Sequence, residues 1–195
     1  MGIFGKFKKP KGKIEVKLDK TVYDAADKFT GQVIVDAEEE MSVDEFRVEI
    51  SAKSKTKWKE KGRWGGSSLD TSSSLETKKT SLGGPMRLSK GQHYEQRFQV
   101  DIPEYARPDP FTKIEIEVKA VVAISGRPSL THEVKPEANL PYVMECPKKY
   151  GGCGFTTQPI MEPIDVCPKC GYSMEEGITR KYRAQLKESG YNGLS

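Results

Sequence analysis

The sequence predicts an all-β protein, a two-sheet sandwich followed by a small four-cysteine module and a short C-terminal helix. Three observations carry that expectation. Between residues 13 and 140, apolar and polar residues alternate over several separate segments, the period-two pattern of strands with one buried face. Nothing in that range has the length and 3.6-residue period of an amphipathic helix. All four cysteines, Cys146, Cys153, Cys167 and Cys170, fall in the last third of the 195 residues.

The first strand is expected where Ile14, Val16 and Leu18 alternate with Glu15 and Lys17. Phe29 to Val35 and Phe46 to Ile50 repeat the β-branched and aromatic pattern. An acidic segment that no core would accept separates them. From Lys53 to Gly91 the apolar periodicity gives way to Lys, Gly and Ser, which predicts a long mobile loop that at most frays a hairpin. Strand patterning returns over Tyr94 to Ile102, stops at Pro103, and resumes over Lys113 to Ile124 after a Pro-rich bend at 108–110. Leu130 to Val134 forms a last run. Two packed sheets are the simplest way to bury one face of each strand. The expected organisation is a basic leader over 1–12, a sandwich over 13–140, a cysteine module over 141–176, and a helix and tail over 177–195.

Hydrophobic residues make up 35% and charged residues 31%, polar for a globular chain but sufficient for a sheet core. No run approaches the roughly eighteen apolar residues of a membrane span, and the first residues lack the apolar stretch of a signal peptide. The chain is read as cytoplasmic, a reducing setting in which clustered cysteines bind metal rather than pair as disulfides. A net charge of +4 does not by itself mark a nucleic-acid binder. The charges come in blocks: Lys6, Lys8, Lys9, Lys11 and Lys13 without an acid, then Asp36, Glu38, Glu39, Glu40, Asp44 and Glu45 without a base. Acidic runs in turns are ordinarily solvated, and no site is assigned there.

The cysteine pattern C-x6-C-x13-C-x2-C supplies two pairs of thiolates. The second pair, CPKCGY, is a zinc knuckle in which Pro and Gly shape a tight turn. The first, CPKKYGGCGF, is an expanded version with four extra residues. One zinc ion held tetrahedrally by four sulfurs would order a segment too short to build its own core. Iron in an S4 site and disulfides stay open as alternatives. Four cysteines without a nearby His leave no open coordination position, so the site reads as structural, holding Phe155 and Tyr172 as a small docking surface.

The order of signals in the sandwich, KIEVKLDKTVYDAADKFTGQVIVDA, then MSVDEFRVEISAKSKTKW, then LSKGQHYEQRFQVDIPEYARPDPF, then KIEIEVKAVVAI, resembles an arrestin-type N-terminal domain. Gly31 with Val33, Ile34 and Val35 matches that family's second element. Gly91 with Phe98 and Ile102-Pro103 matches the fourth, and Ile116 to Val121 the last. The pattern departs at Ala25-Ala26-Asp27, where the family has Pro-Gly-Glu, and at Tyr94, where Phe is common. The resemblance implies an immunoglobulin-like sandwich related to the arrestin-like subunit of retromer and to sporulation-control proteins of the M type. It further implies a non-enzymatic adaptor that recruits protein partners through sheet edges and loops, beside a membrane or in small-GTPase-linked sorting. Arrestins pair two such domains and only one fits here, so their cargo groove does not carry over.

In the leader, Ile3, Phe4 and Phe7 among Lys6, Lys8 and Lys9 have the composition of a peripheral membrane contact, against the simpler reading of a solvated tail. The stretch 53–64 sets Trp58 and Trp64 among Lys55, Lys57, Lys59, Lys61 and Arg63, the composition of a partner or nucleic-acid contact. Against it stands a solvated edge strand whose lysines resist aggregation, with Trp58 covering the core. A nucleic-acid-binding protein using this stretch and the zinc module is the alternative to the adaptor. His93 and His132 are isolated and carry no expected chemistry. Ile178, Tyr182 and Leu186, spaced by four, form the apolar stripe of a C-terminal helix with Arg180, Lys181 and Arg183 facing solvent. No nucleophile elbow, phosphate loop or open metal site is visible, and the chain is read as having no catalytic residues.

Overall fold

The computed structural model describes residues 9–60 and 67–189. The chain divides into two compact units, each assembled from separated stretches. One combines residues up to 52 with 75–104 and 115–139. The other combines 53–74 with 105–114 and everything from 140 onward.

The first unit holds the β-sandwich apart from strand residues 53–59, 68–74 and 112–114, which belong to the second. Strands β1 (Gly12–Leu18), β3 (Lys28–Ala37) and β8 (His93–Asp101) form one sheet in the order β1-β3-β8. A second sheet runs β10-β9-β4-β5, from β10 (Arg127–Val134), β9 (Thr112–Ile124), β4 (Met41–Lys59) and β5 (Ser68–Ser74). The short strands β6 (Lys78–Gly83) and β7 (Met86–Leu88) also pair with β4. Two three-residue strands, β2 (Val22–Asp24) and β11 (Glu137–Asn139), pair in parallel.

Alternation decides which residues reach the core. On β9, Ile114, Ile116, Val118, Ala120 and Val122 are buried while Glu115, Glu117 and Lys119 point outward. On β4 the buried positions run Met41, Val43, then Phe46, Val48, Ile50 and Ala52. Two consecutive outward acids, Asp44 and Glu45, shift the phase of β4; where β6 pairs with it, Leu82 is the extra residue, on β6, between the partners of Phe46 and Arg47. Phe29, fully buried, meets the edge of Tyr23 at 4.7 Å between ring centres. Each such side chain stabilises the fold by about 1.5–3 kcal/mol. His132 is not idle: its Nδ1 accepts the Val16 amide at 3.1 Å, satisfying a β1 backbone donor that β3 does not use. His93 bonds Asp36 at 2.7 Å and Glu95 at 3.0 Å on the surface.

The expectation of a long mobile loop over 53–91 is corrected. β4 continues to Lys59, and β5, β6 and β7 follow it. The sequence hid them because β5 buries only Leu69 and β6 buries no residue, so neither shows a hydrophobic period. The six expected strands are all present; each begins earlier than expected and β4 runs nine residues further, while β8 stops one residue short, at Asp101.

Gly31 marks the tightest approach in the first sheet. A Cβ there would lie 2.1 Å from the Lys17 carbonyl oxygen of β1, so the position excludes side chains for lack of space. Gly31→Ala is expected to force β1 and β3 apart and cost about 1–3 kcal/mol. Chemical denaturation would read this as a lower midpoint, and an unchanged midpoint would mean that Lys17 of β1 does not lie against Gly31.

Candidate metal centre

The second unit is built around sulfur. Met144, Cys146, Cys167, Met174, Ile178, Tyr182 and Leu186 share one buried cluster with Trp58 and Leu69 of the β4–β5 hairpin and with Tyr142. Phe111, Phe155 and Tyr172 pack on it partly buried. Phe155 and Tyr172, expected as a docking surface, thus pack against the unit's own core.

Local geometry explains how each cysteine reaches the centre. The 140–146 segment is threaded by main-chain bonds: Arg107 N–H to the Pro141 carbonyl at 2.8 Å, Val143 N–H to the Arg107 carbonyl at 3.0 Å, and reciprocal bonds between Tyr142 and Ile160 at 2.7 and 3.0 Å. At its end Cys146 enters the first knuckle. The Cys153 amide donates to Cys146 Sγ at 3.3 Å, and the Gly154 amide to the Cys146 carbonyl at 2.9 Å. The second knuckle closes when the Gly171 amide bonds the Cys167 carbonyl and the Cys167 amide bonds the Tyr172 carbonyl, each at 2.9 Å. Gly171 has a φ of 72°, and Gly151 one of 102°, which side chains rarely tolerate.

The expanded spacing of the first knuckle has a purpose. Its extra residues form a 3-10 turn, Lys148–Tyr150. The Tyr150 carbonyl accepts the Tyr172 hydroxyl at 2.6 Å and an Arg180 Nη1 donor at 3.3 Å. The turn therefore ties the first knuckle to the second and to the helix.

All four sulfurs lie within 4.8 Å of one another, with Cys146 to Cys170 at 3.8 Å and Cys153 to Cys167 at 3.7 Å. A tetrahedral ion with metal–sulfur bonds of about 2.3 Å sets its sulfurs about 3.8 Å apart. The cysteines are free thiols, and the donor set fits a soft or borderline metal ion. A close backbone approach supports the fit: a Cβ on Gly152 would stand 2.5 Å from Cys146 Sγ and 2.9 Å from the Cys146 and Pro147 main chain. Burial pushes the Cys146 thiol up to about 12. Burial also opposes ionisation of Cys167, yet the amides of Lys169 and Cys170 and the neighbouring thiols bring it down to about 7. A bound cation would make all four thiolates.

The helix α1 (Met174–Glu188) follows directly, capped by Ser173, whose hydroxyl accepts the Glu176 amide at 3.3 Å. Its buried stripe is Met174, Ile178, Tyr182 and Leu186, as the spacing by four predicts. Gly177 lets it close on the first knuckle, since a Cβ there would meet the Pro147 ring at 2.6 Å. Arg180 pairs with Glu176, and Arg183 Nε bonds Glu60 Oε1 at 2.8 Å.

One feature escaped the sequence. Asp109, in the Pro-rich bend, is 1% exposed. Its carboxylate accepts the Phe111 amide at 2.9 Å, the Thr112 hydroxyl at 3.0 Å and the Tyr182 hydroxyl. Thr112 in turn meets the Thr56 hydroxyl at 2.9 Å. This buried acid is fully partnered and joins α1 to the 105–114 segment. Nothing in the sequence distinguishes it from a turn aspartate, because its partners lie 73 residues away in the case of Tyr182.

Within the 53–64 stretch, the burial of Trp58 follows the reading in which it covers the core. Trp58 is 4% exposed, and its ring lies 5.8 Å from that of Tyr182. It is a core residue and offers no stacking platform to nucleic acid. Lys57 and Lys59 are exposed and Lys55 is half-buried, while Lys61, Arg63 and Trp64 lie outside the described residues. In the leader, Lys9 is exposed, and Ile3, Phe4, Lys6, Phe7 and Lys8 lie outside the described residues.

A β-sandwich joined in sequence to a compact four-cysteine unit defines a class, and comparison with known proteins defines the family. Residues 13–134 match the family described as arrestin (or S-antigen), N-terminal domain. The chain belongs to that family, whose fold supports an adaptor or scaffold role in general terms. No curated protein sequence matches the chain. Among solved structures it is similar to the crystal structure of Spo0M, a sporulation control protein from Bacillus subtilis, at 13% identity and a TM-score of 0.47. That match covers 65% of this chain and 49% of the other, so the chain spans about half that protein's length.

Two outcomes are expected. Gly152→Ala should displace Cys146 Sγ and weaken metal binding about 10- to 100-fold in competition with a chromophoric chelator. Equal affinity would show that the first knuckle is not built as described. Tyr182, whose pKa is raised by burial first and then by the Asp109 carboxylate, stays protonated in the fold at a pH where the unfolded chain ionises. Its contribution is complete below about pH 10 and lost as pH climbs beyond it. Melting curves should fall more steeply above pH 10 for the native chain than for Tyr182→Phe, and parallel curves would contradict the assignment.

Proposed function

We propose that the chain is a non-enzymatic cytoplasmic adaptor whose sandwich, residues 13–140, recruits protein partners. A single structural zinc ion on Cys146, Cys153, Cys167 and Cys170 orders the module over 141–176 and the helix and tail over 177–195. The observation that carries the reading is the closed sulfur set, with sulfurs 3.7 and 3.8 Å apart, in a chain with an arrestin N-terminal domain match. Four thiolates saturate a tetrahedral ion and leave no position for water or substrate. Zinc fits better than iron for a purely structural role because it undergoes no redox change. Small GTPases and sorting machinery are the first partners to test, on family analogy. The leader residues Ile3, Phe4, Lys6, Phe7, Lys8 and Lys9 would add a peripheral membrane contact.

Metal analysis of the purified chain should find one zinc per molecule, lost in Cys167→Ser/Cys170→Ser. Iron, or no metal, would overturn the zinc assignment. Affinity capture from nuclease-treated native lysate, with the intact chain and the same double variant, tests the adaptor. Trafficking proteins retained by both would assign recruitment to the sandwich. Capture of ribosomal or other nucleic-acid-bound proteins alone would contradict the reading.

A further inference from the structure

Within the second unit, the part of β4 from Lys53 to Lys59 has two unlike faces. Trp58 turns into the core, so Lys53, Lys55, Lys57 and Lys59, which alternate with it, share the opposite face. Across the hairpin they stand in register with Ser74, Ser72, Asp70 and Ser68, all exposed. On the other flank the Lys57 amide bonds the Phe111 carbonyl at 3.0 Å, and the Thr56 and Thr112 hydroxyls meet on the inner side. Exposed Lys113, next after Thr112, therefore points the same way as the β4 lysines.

The ordinary explanation for alternating lysines is protection of a sheet edge. It does not apply here. β4 lies between β9 and β5, and the edge strand β5 carries serines and a threonine but no lysine. Interior-strand lysines cannot be guarding an edge, and the paired stretches Lys53–Lys59 and Ser68–Ser74 carry one acid between them, Asp70, 4.0 Å from Lys57 with both side chains largely exposed.

We propose that this lysine face binds the surface of a membrane containing anionic lipids. Four lysines at two-residue steps span about 20 Å of a pleated, open surface at ~3.4 Å per residue. Lysine is a compact charge on a flexible stem, suited to many headgroups in no fixed geometry, whereas bidentate recognition of one phosphate calls for arginine. Hydroxyls of Ser68, Ser72 and Ser74 supply further donors beside the ammonium groups. Single-stranded nucleic acid fits less well, because the aromatic ring on this strand is turned inward and base stacking has no platform. The proposal is independent of the adaptor reading and of the leader.

The test is cosedimentation of the intact chain with phosphatidylcholine vesicles, with and without phosphatidylserine, at low and physiological salt. The charge-neutral variant is Lys53→Gln/Lys57→Gln/Lys59→Gln/Lys113→Gln, made entirely at exposed positions, with its melting temperature as the check on folding. The control is Lys6→Gln/Lys8→Gln/Lys9→Gln in the leader. The native chain is expected to bind only the anionic vesicles, less at higher salt. Neutralising the face should weaken binding by about fivefold per lysine, on the order of a hundredfold or more for four, with the leader variant losing less. Absence of binding by the native chain, or equal binding by the face variant, would overturn the proposal. So would a native chain that ignores vesicles but binds oligonucleotides through these lysines, since the face would then serve nucleic acid.

Discussion

The packing of Trp58 beside Tyr182, over a cluster that includes Cys146 and Cys167, is the interaction on which the second unit depends. Between residue 140 and α1 the large apolar side chains that are buried are Leu140, Tyr142 and Met144, and the others of the segment lie on α1. The segment adds to these in two ways. It takes Trp58 and Leu69 from the β4–β5 hairpin and Phe111 from the bend before β9, and it places two of its sulfurs in the core. A cluster of buried thiols is a poor core by itself, since sulfur needs either a proton or a cation. A tetrahedral ion would resolve this by replacing four separate thiols with one ordered node.

Polar groups follow the same logic. Asp109 would be costly in such a setting if any of its oxygens lacked a donor. The Phe111 amide and the Thr112 and Tyr182 hydroxyls meet that need and fix the helix relative to the bend. The 3-10 turn inside the first knuckle does for the two knuckles what Asp109 does for the helix. It offers one carbonyl, that of Tyr150, to donors from Tyr172 and Arg180.

Much of this was legible in the sequence, and what was not has physical causes. Strands with one buried face, such as β9 with Ile114, Ile116 and Val118, announce themselves through alternation. The cysteine spacing located the sulfur cluster, and the spacing by four on Ile178, Tyr182 and Leu186 located the buried stripe of α1. β5 and β6 were illegible because serine, threonine and lysine occupy positions whose burial is slight, so pairing partners define these strands more than side chains do. The lysines of β4 masked the inward turn of Trp58, as a strand with one charged face and a single large inner residue has almost no hydrophobic period. Asp109 was illegible for a different reason. A long-range partner leaves no local pattern, and an aspartate between prolines has the look of a turn.

The central claim is that the sulfur node holds together a unit that reaches back into the β4–β5 hairpin. Hydrogen exchange on the intact chain, before and after metal is stripped by a chelator under reducing conditions, tests it most directly. The account predicts that α1 and the Trp58-bearing part of β4 lose protection together on metal removal while β3 and β8 keep theirs. Unchanged protection of α1 and of residues 53–59 in the stripped protein would contradict it.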